Sequence, residues 1–273
     1  MKLVARGETL TFPRRPLVMG IVNLVADSFS GDGLTDVDAA IALAKQHVAH
    51  GADIIDIGAE SARTNRAAIS EDGETAQLIA FLRRWQEPTW ISINTWRPAV
   101  AAAALEVGGH ILNDIGSLPD DANARICAKN GAALLIMHSV GEPKVPHTHI
   151  HYPDIMQRLD EFFSEKLALC ASAGLPLDAT ILDPGIDFAK QQEANLHIYR
   201  DLGRLHAFNR PILLPVSRKT VIGDVLNLHN PKDRDAGSVA CISAGMRRGA
   251  QIFRVHNVAA AAGSIKVLDA LAR

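Results

Sequence analysis

The sequence predicts one α/β domain spanning residues 1–273, a (β/α)8 TIM barrel with a short N-terminal hairpin. Three observations lead there. Eight apolar, β-branched runs recur along the chain, and most are followed by a segment with helical periodicity. Strands that are apolar on both faces and alternate with helices belong to a parallel sheet covered by helices. Eight such units in 273 residues also suit the usual barrel size of ~250 residues. An open doubly wound sheet is the competitor. Against it, the first unit carries no G-x-G-x-x-G, and no composition shift marks a second domain.

In chain order, GETLTF (7–12) reads as part of a hairpin plugging the N-terminal end of the barrel. The barrel runs are LVMGIVNL (17–24), ADIIDIG (52–58), TWISINT (89–95) and HILNDIG (110–116). AALLIMH (132–138), ATILDPGI (179–186), PILLPVS (211–217) and AQIFRVH (250–256) complete the eight. Between or after them lie helical segments such as DVDAAIALAKQHVAHG, RPAVAAAALEVGG, YPDIMQRLDEFFSEKLALCASAG and NVAAAAGSIKVLDALAR. Several close on Gly, a common helix C-terminus.

Composition narrows the function class. Net charge is −2 with a pI of about 6.6, and only 5% of residues are aromatic. Neither a nucleic-acid surface nor a membrane surface is expected from that balance. No apolar run approaches the ~18 residues of a membrane span, and the first residues lack a signal-peptide pattern. Cys127, Cys170 and Cys241 are far apart, have no C-x-x-C spacing and read as small core or helix residues. A cytoplasmic protein is the expectation.

In a parallel barrel the site lies at the C-terminal strand ends. Those positions hold Asn23, with Asp27, Ser28 and Ser30 after it; Asp56, Glu60, Ser61 and Arg63; and Asn94 with Thr95. Asn113, Asp114, His138 and Asp183 follow, then Ser217, Arg218 and Lys219, and finally Arg254, His256 and Asn257. A single polar strand end is often a helix cap. Eight together mark a site. Arg63, Arg218, Lys219, Arg254 and His256 supply the charge and N–H donors that a phosphate or diphosphate requires. Arg254 and His256 also precede a helix whose free N–H groups favour an anion. Asp183, Asn113 and Asn94 offer a mixed donor and acceptor edge for a flat heterocycle. Asn23 is placed to help hold a Mg²⁺ bridging diphosphate oxygens.

The motifs MGIVNLVADSFSGDG, GADIIDIGAESAR, ILNDIGSL, ILDPGIDFAK, PVSRKTVIG and IFRVHNV resemble those of the dihydropteroate synthase family, in the same order. The resemblance runs from about residue 17 to the C-terminus. It implies a pterin-binding (β/α)8 barrel that joins 6-hydroxymethyl-7,8-dihydropterin diphosphate to p-aminobenzoate, giving 7,8-dihydropteroate and diphosphate. It assigns Asn94, Asn113, Asp183, Lys219 and Met137 to the pterin, and Asn23, Arg63, Arg254 and His256 to the diphosphate. Ser217, Phe188 and Lys219 fall on the aminobenzoate side, and Asn23 on the Mg²⁺. Asn94, Asp183, Lys219 and Arg254 are the expected catalytic set. A homodimer is implied too, with the Ala-rich last helix one possible face.

The chain also departs from the family pattern. SINT stands where S-x-D-T is usual, so Asn94 replaces a pterin-facing carboxylate. Val25 and Ala26 replace Thr-Pro, Ala62 and Thr64 alter the second loop, Asp187 and Ala189 replace glycines, and Pro215 precedes VSRK. Two other readings follow: a pterin-binding paralogue with a different acceptor or no synthase activity, and a pterin-dependent methyltransferase-type barrel. The anion groups of SRKT and RVH count against the latter, and a Schiff-base aldolase using Lys219 is weaker still. HTHIH (147–151) reads as an exposed loop rather than a metal cluster. His47, His50, His197 and His206 read as surface residues of helices, and His138 as either a pocket wall or a chemical group.

Overall fold

The computed structural model describes residues 1–24, 36–60, 68–145, 147 and 150–272. Strands β1 (Lys2–Ala5) and β2 (Glu8–Thr11) form an antiparallel hairpin that turns through Arg6 and Gly7, both at positive φ. The Arg6 amide donates to the Gly131 carbonyl at 2.6 Å, and its guanidinium reaches the carbonyls of Leu105 and Gly109. The Gly109 and Gly131 carbonyls lie just before barrel strands begin, and Leu3 and Ala5 are fully buried. The hairpin therefore covers the N-terminal end of the barrel, as expected.

The barrel strands are β3 (Leu17–Asn23), β4 (Ile54–Gly58), β5 (Trp90–Asn94), β6 (Ile111–Asp114), β7 (Ala133–Met137), β8 (Thr180–Asp183), β9 (Leu213–Pro215) and β10 (Ile252–Val255). They are parallel in the order β8-β7-β6-β5-β4-β3-β10-β9. A bridge between Leu182 and Ile212, with the Leu182 N–H on the Pro211 carbonyl at 2.9 Å, joins the two ends.

Helices α1 (Val37–Ala49), α2 (Glu71–Arg84), α3 (Pro98–Val107), α4 (Ala122–Asn130), α5 (Ile155–Ser172) and α6 (Gln192–Asp201) each follow one strand. Helices α7 (Thr220–Leu226) and α8 (Asp235–Arg247) both lie between β9 and β10, and α9 (Val258–Leu271) ends the described chain. Their starts follow from local chemistry: Asp36, Ser70 and Asp154 each accept from first-turn N–H groups, and Pro98 opens α3. Gly131, in the left-handed region, ends α4.

Register decides which side chains look inward. Ile21 is opposite Asp56, Asp56 opposite Ser92, Asn94 opposite Asn113, and Met137 opposite Asp183. Leu135 is opposite Asn113, and Arg254 is opposite both Met19 and Pro215. Since side chains alternate along a strand, Asn23, Asp56, Asn94, Asn113, Met137, Asp183 and Arg254 share one face. Bonds from Asp56 to residues of non-adjacent strands show that this face is the barrel interior.

Two expectations change here. Asp114 is out of phase with Asn113 and turns away from the axis, accepting from Asn123 at 2.9 Å and from the Gly116 N–H at 2.7 Å. It is a structural group rather than a pocket residue. His47 is buried, not on the surface. Its Nε2 lies 3.1 Å from the Ile21 carbonyl, and its ring lies 3.0 Å from where a Cβ on Gly20 would stand. Helical spacing marks α1 as amphipathic but does not reveal that β3 offers this notch.

Candidate active site

At the centre of the interior face is Asp56, almost completely buried. Its carboxylate accepts from the Ser92 hydroxyl at 2.6 Å, from Arg254 Nε at 2.7 Å and from the Asn113 amide at 3.2 and 3.3 Å. One carboxylate from β4 thus orients the β6 amide and the β10 guanidinium. Because Asn113 donates to Asp56, its Oδ1 is left facing the interior, buried and without a partner. A buried acceptor left unsatisfied costs about 1–3 kcal/mol, and a ligand N–H relieves that cost. The sequence marks Asp56 as a pocket residue without revealing this role, because its partners are brought to it only by barrel closure.

Asp183 ends β8 opposite Met137 of β7, and both are buried. The Asp183 carboxylate accepts from the Gly185 N–H at 2.7 Å. Burial pushes its pKa up to about 6, opposed by that N–H and by the charges of Lys219, Lys190 and Arg254. It is thus ionised at neutral pH and can accept from a ligand. Lys190, absent from the sequence-predicted site, donates to the carbonyls of His138, Gly185 and Phe188 at 3.1, 2.9 and 2.9 Å. It ties the ends of β7 and β8 together. Gly185 is required there: at φ +69, a Cβ would lie 1.9 Å from the His138 carbonyl oxygen.

The opposite wall is built after β9 and β10. The Ser217 hydroxyl lies 2.8 Å from His256 Nδ1 and accepts the His256 N–H at 3.1 Å. Burial, with Arg254 and Arg218 nearby, holds the His256 pKa well below the usual range. His256 therefore offers an N–H donor rather than the positive charge expected from sequence. Lys219 donates to the Ile186 carbonyl at 2.7 Å, and its ammonium lies 5.0 Å from the Phe188 ring centroid. Arg218, at φ +55, is bound to Asp235 at 2.7 and 3.2 Å. It supports the loop rather than joining the anion set.

Asn94 is buried on the interior face at the end of β5, against the backbone of Gly58. Asn23 ends β3, partly exposed. Glu60 pairs with Arg97 at 2.6 Å and Lys144 at 2.9 Å, a structural network rather than a ligand contact. His138 packs edge-on against Phe162 and Tyr152, at 4.8 and 6.0 Å between ring centroids. Burial and the charges of Lys190 and Arg158 push its pKa down to about 2, so it is a neutral wall residue. Arg63 lies outside the described residues, as do Val25, Ala26, Asp27, Ser28, Ser30, Ser61, Ala62 and Thr64. Among the described residues no group of three or more His, Cys, Asp or Glu could hold a metal, and Thr148 and His149 of HTHIH lie outside those residues.

Comparison with known proteins agrees with this geometry. The profile of the family described as pterin binding enzyme matches residues 19–256. The dihydropteroate synthase of Escherichia coli strain K12 is 36% identical over 275 residues, covering 99% of this chain and 96% of the relative. A crystal structure of the Yersinia pestis dihydropteroate synthase with a sulfonamide drug superposes with a TM-score of 0.91 at 36% identity, covering 100% of this chain and 99% of the other. The Xanthomonas albilineans enzyme in complex with 7,8-dihydropteroate gives a TM-score of 0.86 at 31% identity, with 99% and 98% covered. A polar barrel interior that holds a buried, uncommitted amide oxygen on Asn113, on a fold and sequence shared along the whole chain with these proteins, leads to one assignment: the chain belongs to the dihydropteroate synthase family of pterin-binding enzymes.

Proposed function

We infer that this protein is a transferase of folate biosynthesis, condensing 6-hydroxymethyl-7,8-dihydropterin diphosphate with p-aminobenzoate. The observation that carries the reading is the interior edge formed by Asn113, Asp183 and Asn94, with the unpartnered Oδ1 of Asn113 at its centre. A pterin presents ring N–H and exocyclic amine donors along one edge. Asn113 Oδ1 and the ionised Asp183 accept from that edge, Asn94 joins them, and Met137 lies beside Asp183. Lys219 and Arg254 complete the catalytic set, and Arg254 is fixed in direction by Asp56. With His256 and Arg63, Arg254 receives the departing diphosphate. Phe188, Lys219 and Ser217 border the acceptor.

Mg²⁺ fits this arrangement at Asn23. The ion would be held by that amide oxygen, diphosphate oxygens and water, a set suited to a small hard cation. When bound, it neutralises charge on the leaving group. The protein's own part is to place the two substrates and to stabilise charge as the bond to diphosphate breaks. The reading extends to a cytoplasmic homodimer, supported by exposed Val267 and Leu271 one turn apart on α9 and by three free cysteines.

Calorimetric titration with 6-hydroxymethylpterin tests the pocket. The natural protein is expected to bind it, and Asn113→Ala to bind about tenfold or more weakly, since a matched buried polar contact is lost. Equal affinity in the two proteins would remove Asn113 from the ring edge, and no binding by either would sink the pterin reading.

A further inference from the structure

Asp187 stands next to Phe188 at φ +69, a left-handed conformation that a side chain other than that of Gly, Asn or Asp rarely adopts. Its carboxylate is held by the backbone N–H of Thr220, by that of Val221 at 3.2 Å and by Asn195 Nδ2 at 3.3 Å. The Asp187 N–H in turn donates to Asn195 Oδ1 at 2.9 Å. These bonds fix a negative charge between the loop after β8 and the start of α7, directly after Lys219. The other charges on that wall are already engaged. Arg218 is bound to Asp235, and Lys219 donates to the Ile186 carbonyl beside the Phe188 ring.

We propose that Asp187 is a specificity-determining residue for the acceptor, its fixed carboxylate disfavouring an acidic arylamine relative to an uncharged one of the same shape. The inference rests on the synthase reading and on Phe188 and Lys219 bordering the acceptor. Repulsion between two carboxylates is independent of ring stacking and of the reacting amine. It therefore changes acceptor KM rather than the rate of the bound complex.

The test compares p-aminobenzoate with p-aminobenzamide in the natural protein and in Asp187→Asn. Asparagine accommodates the same backbone and removes the charge. It keeps one acceptor oxygen where the carboxylate gives Thr220 and Val221 one each, a lost bond that shifts stability and leaves the difference between the two amines as the readout of charge. The variant is expected to lower KM for p-aminobenzoate roughly fivefold, the effect of one unit charge at contact distance in water-like surroundings. KM for p-aminobenzamide and kcat for both amines should not change. An equal shift for both amines, or none, would overturn the proposal, and melting curves of the two proteins identify a shift caused by unfolding. Absence of turnover by the natural protein with either amine would instead remove the synthase reading, and this inference with it.

Discussion

Replacing Asp183 with Asn is expected to reduce kcat/KM by roughly 10³-fold or more while leaving the barrel folded. The change is nearly isosteric, and the amide oxygen can still accept from Gly185. Two things are lost. The side chain no longer offers two acceptor oxygens to the pterin edge, a buried mismatch worth about 1–3 kcal/mol. In the proposed reaction, loss of diphosphate leaves positive charge on the pterin methylene, a developing pterin cation. The carboxylate charge facing it is also gone, and one preorganised group of that kind is commonly worth about 3–4 kcal/mol. The pH profile gives an independent check. Burial raises the Asp183 pKa to about 6, and in the proposed reading the ionised form is the one that accepts from the pterin edge. In the natural protein kcat/KM should therefore fall as pH drops through about 6, and in Asp183→Asn that acid limb should disappear. A persistent limb would assign it to another group. A loss of less than tenfold would place Asp183 outside the chemistry.

The largest stability effect is expected at Arg97, just before α3. Its NH1 contacts Glu60 at 2.6 Å and Glu74 at 2.8 Å, and its NH2 donates to the Ile69 carbonyl at 3.1 Å. Both glutamates are buried, so one guanidinium holds two carboxylates inside the protein. Glu60 and Ile69 lie on either side, in sequence, of the segment that carries Arg63. Removing one partner of a buried pair typically costs about 3–5 kcal/mol, because a charge is left without compensation. Arg97→Ala should lose about that much in urea unfolding at neutral pH, even though Lys144 still reaches Glu60.

The sign of the pH effect follows from Glu74. Burial already raises its pKa, opposed by the Thr95 hydroxyl and by Arg97, so the variant raises it further. A carboxyl with a folded pKa above its unfolded value favours the folded state at low pH, a contribution lost as pH rises through the folded pKa. The deficit of Arg97→Ala should therefore shrink on going from neutral to mildly acidic solution. A deficit below about 1 kcal/mol, typical of an exposed pair, would contradict the account.

Several features were legible in the sequence for simple reasons. The eight strands stood out because a barrel strand is buried on both faces, so composition alone marks it. The polar strand ends stood out because such groups have no packing purpose there. Choosing between neighbours was harder. Asn113 and Asp114 look alike in sequence, and only register turns one inward and the other toward Asn123.

Long-range pairs were not legible at all. Asp56 meets Arg254 from 198 residues away, and the Asp187 carboxylate meets the N–H groups of Thr220 and Val221 across 33 and 34 residues. Arg218 and Lys219 are adjacent in sequence, yet the positive φ of Arg218 goes with its engagement by Asp235 while Lys219 lies over Phe188. Lys190 was missed because a lysine after a turn usually faces solvent. Here three carbonyls converge on its ammonium, and burial lowers its pKa to about 7.

Asn94 is where the account is most exposed to test, because an amide stands where a carboxylate would steady the pterin cation. The most direct measurement incubates the natural protein and Asn94→Asp with 6-hydroxymethyl-7,8-dihydropterin diphosphate, p-aminobenzoate and Mg²⁺, and follows 7,8-dihydropteroate. Turnover by the natural protein is predicted, with kcat raised on the order of tenfold or more in Asn94→Asp as the missing charge is restored. If both proteins bind the pterin and neither forms product, this barrel is not a synthase.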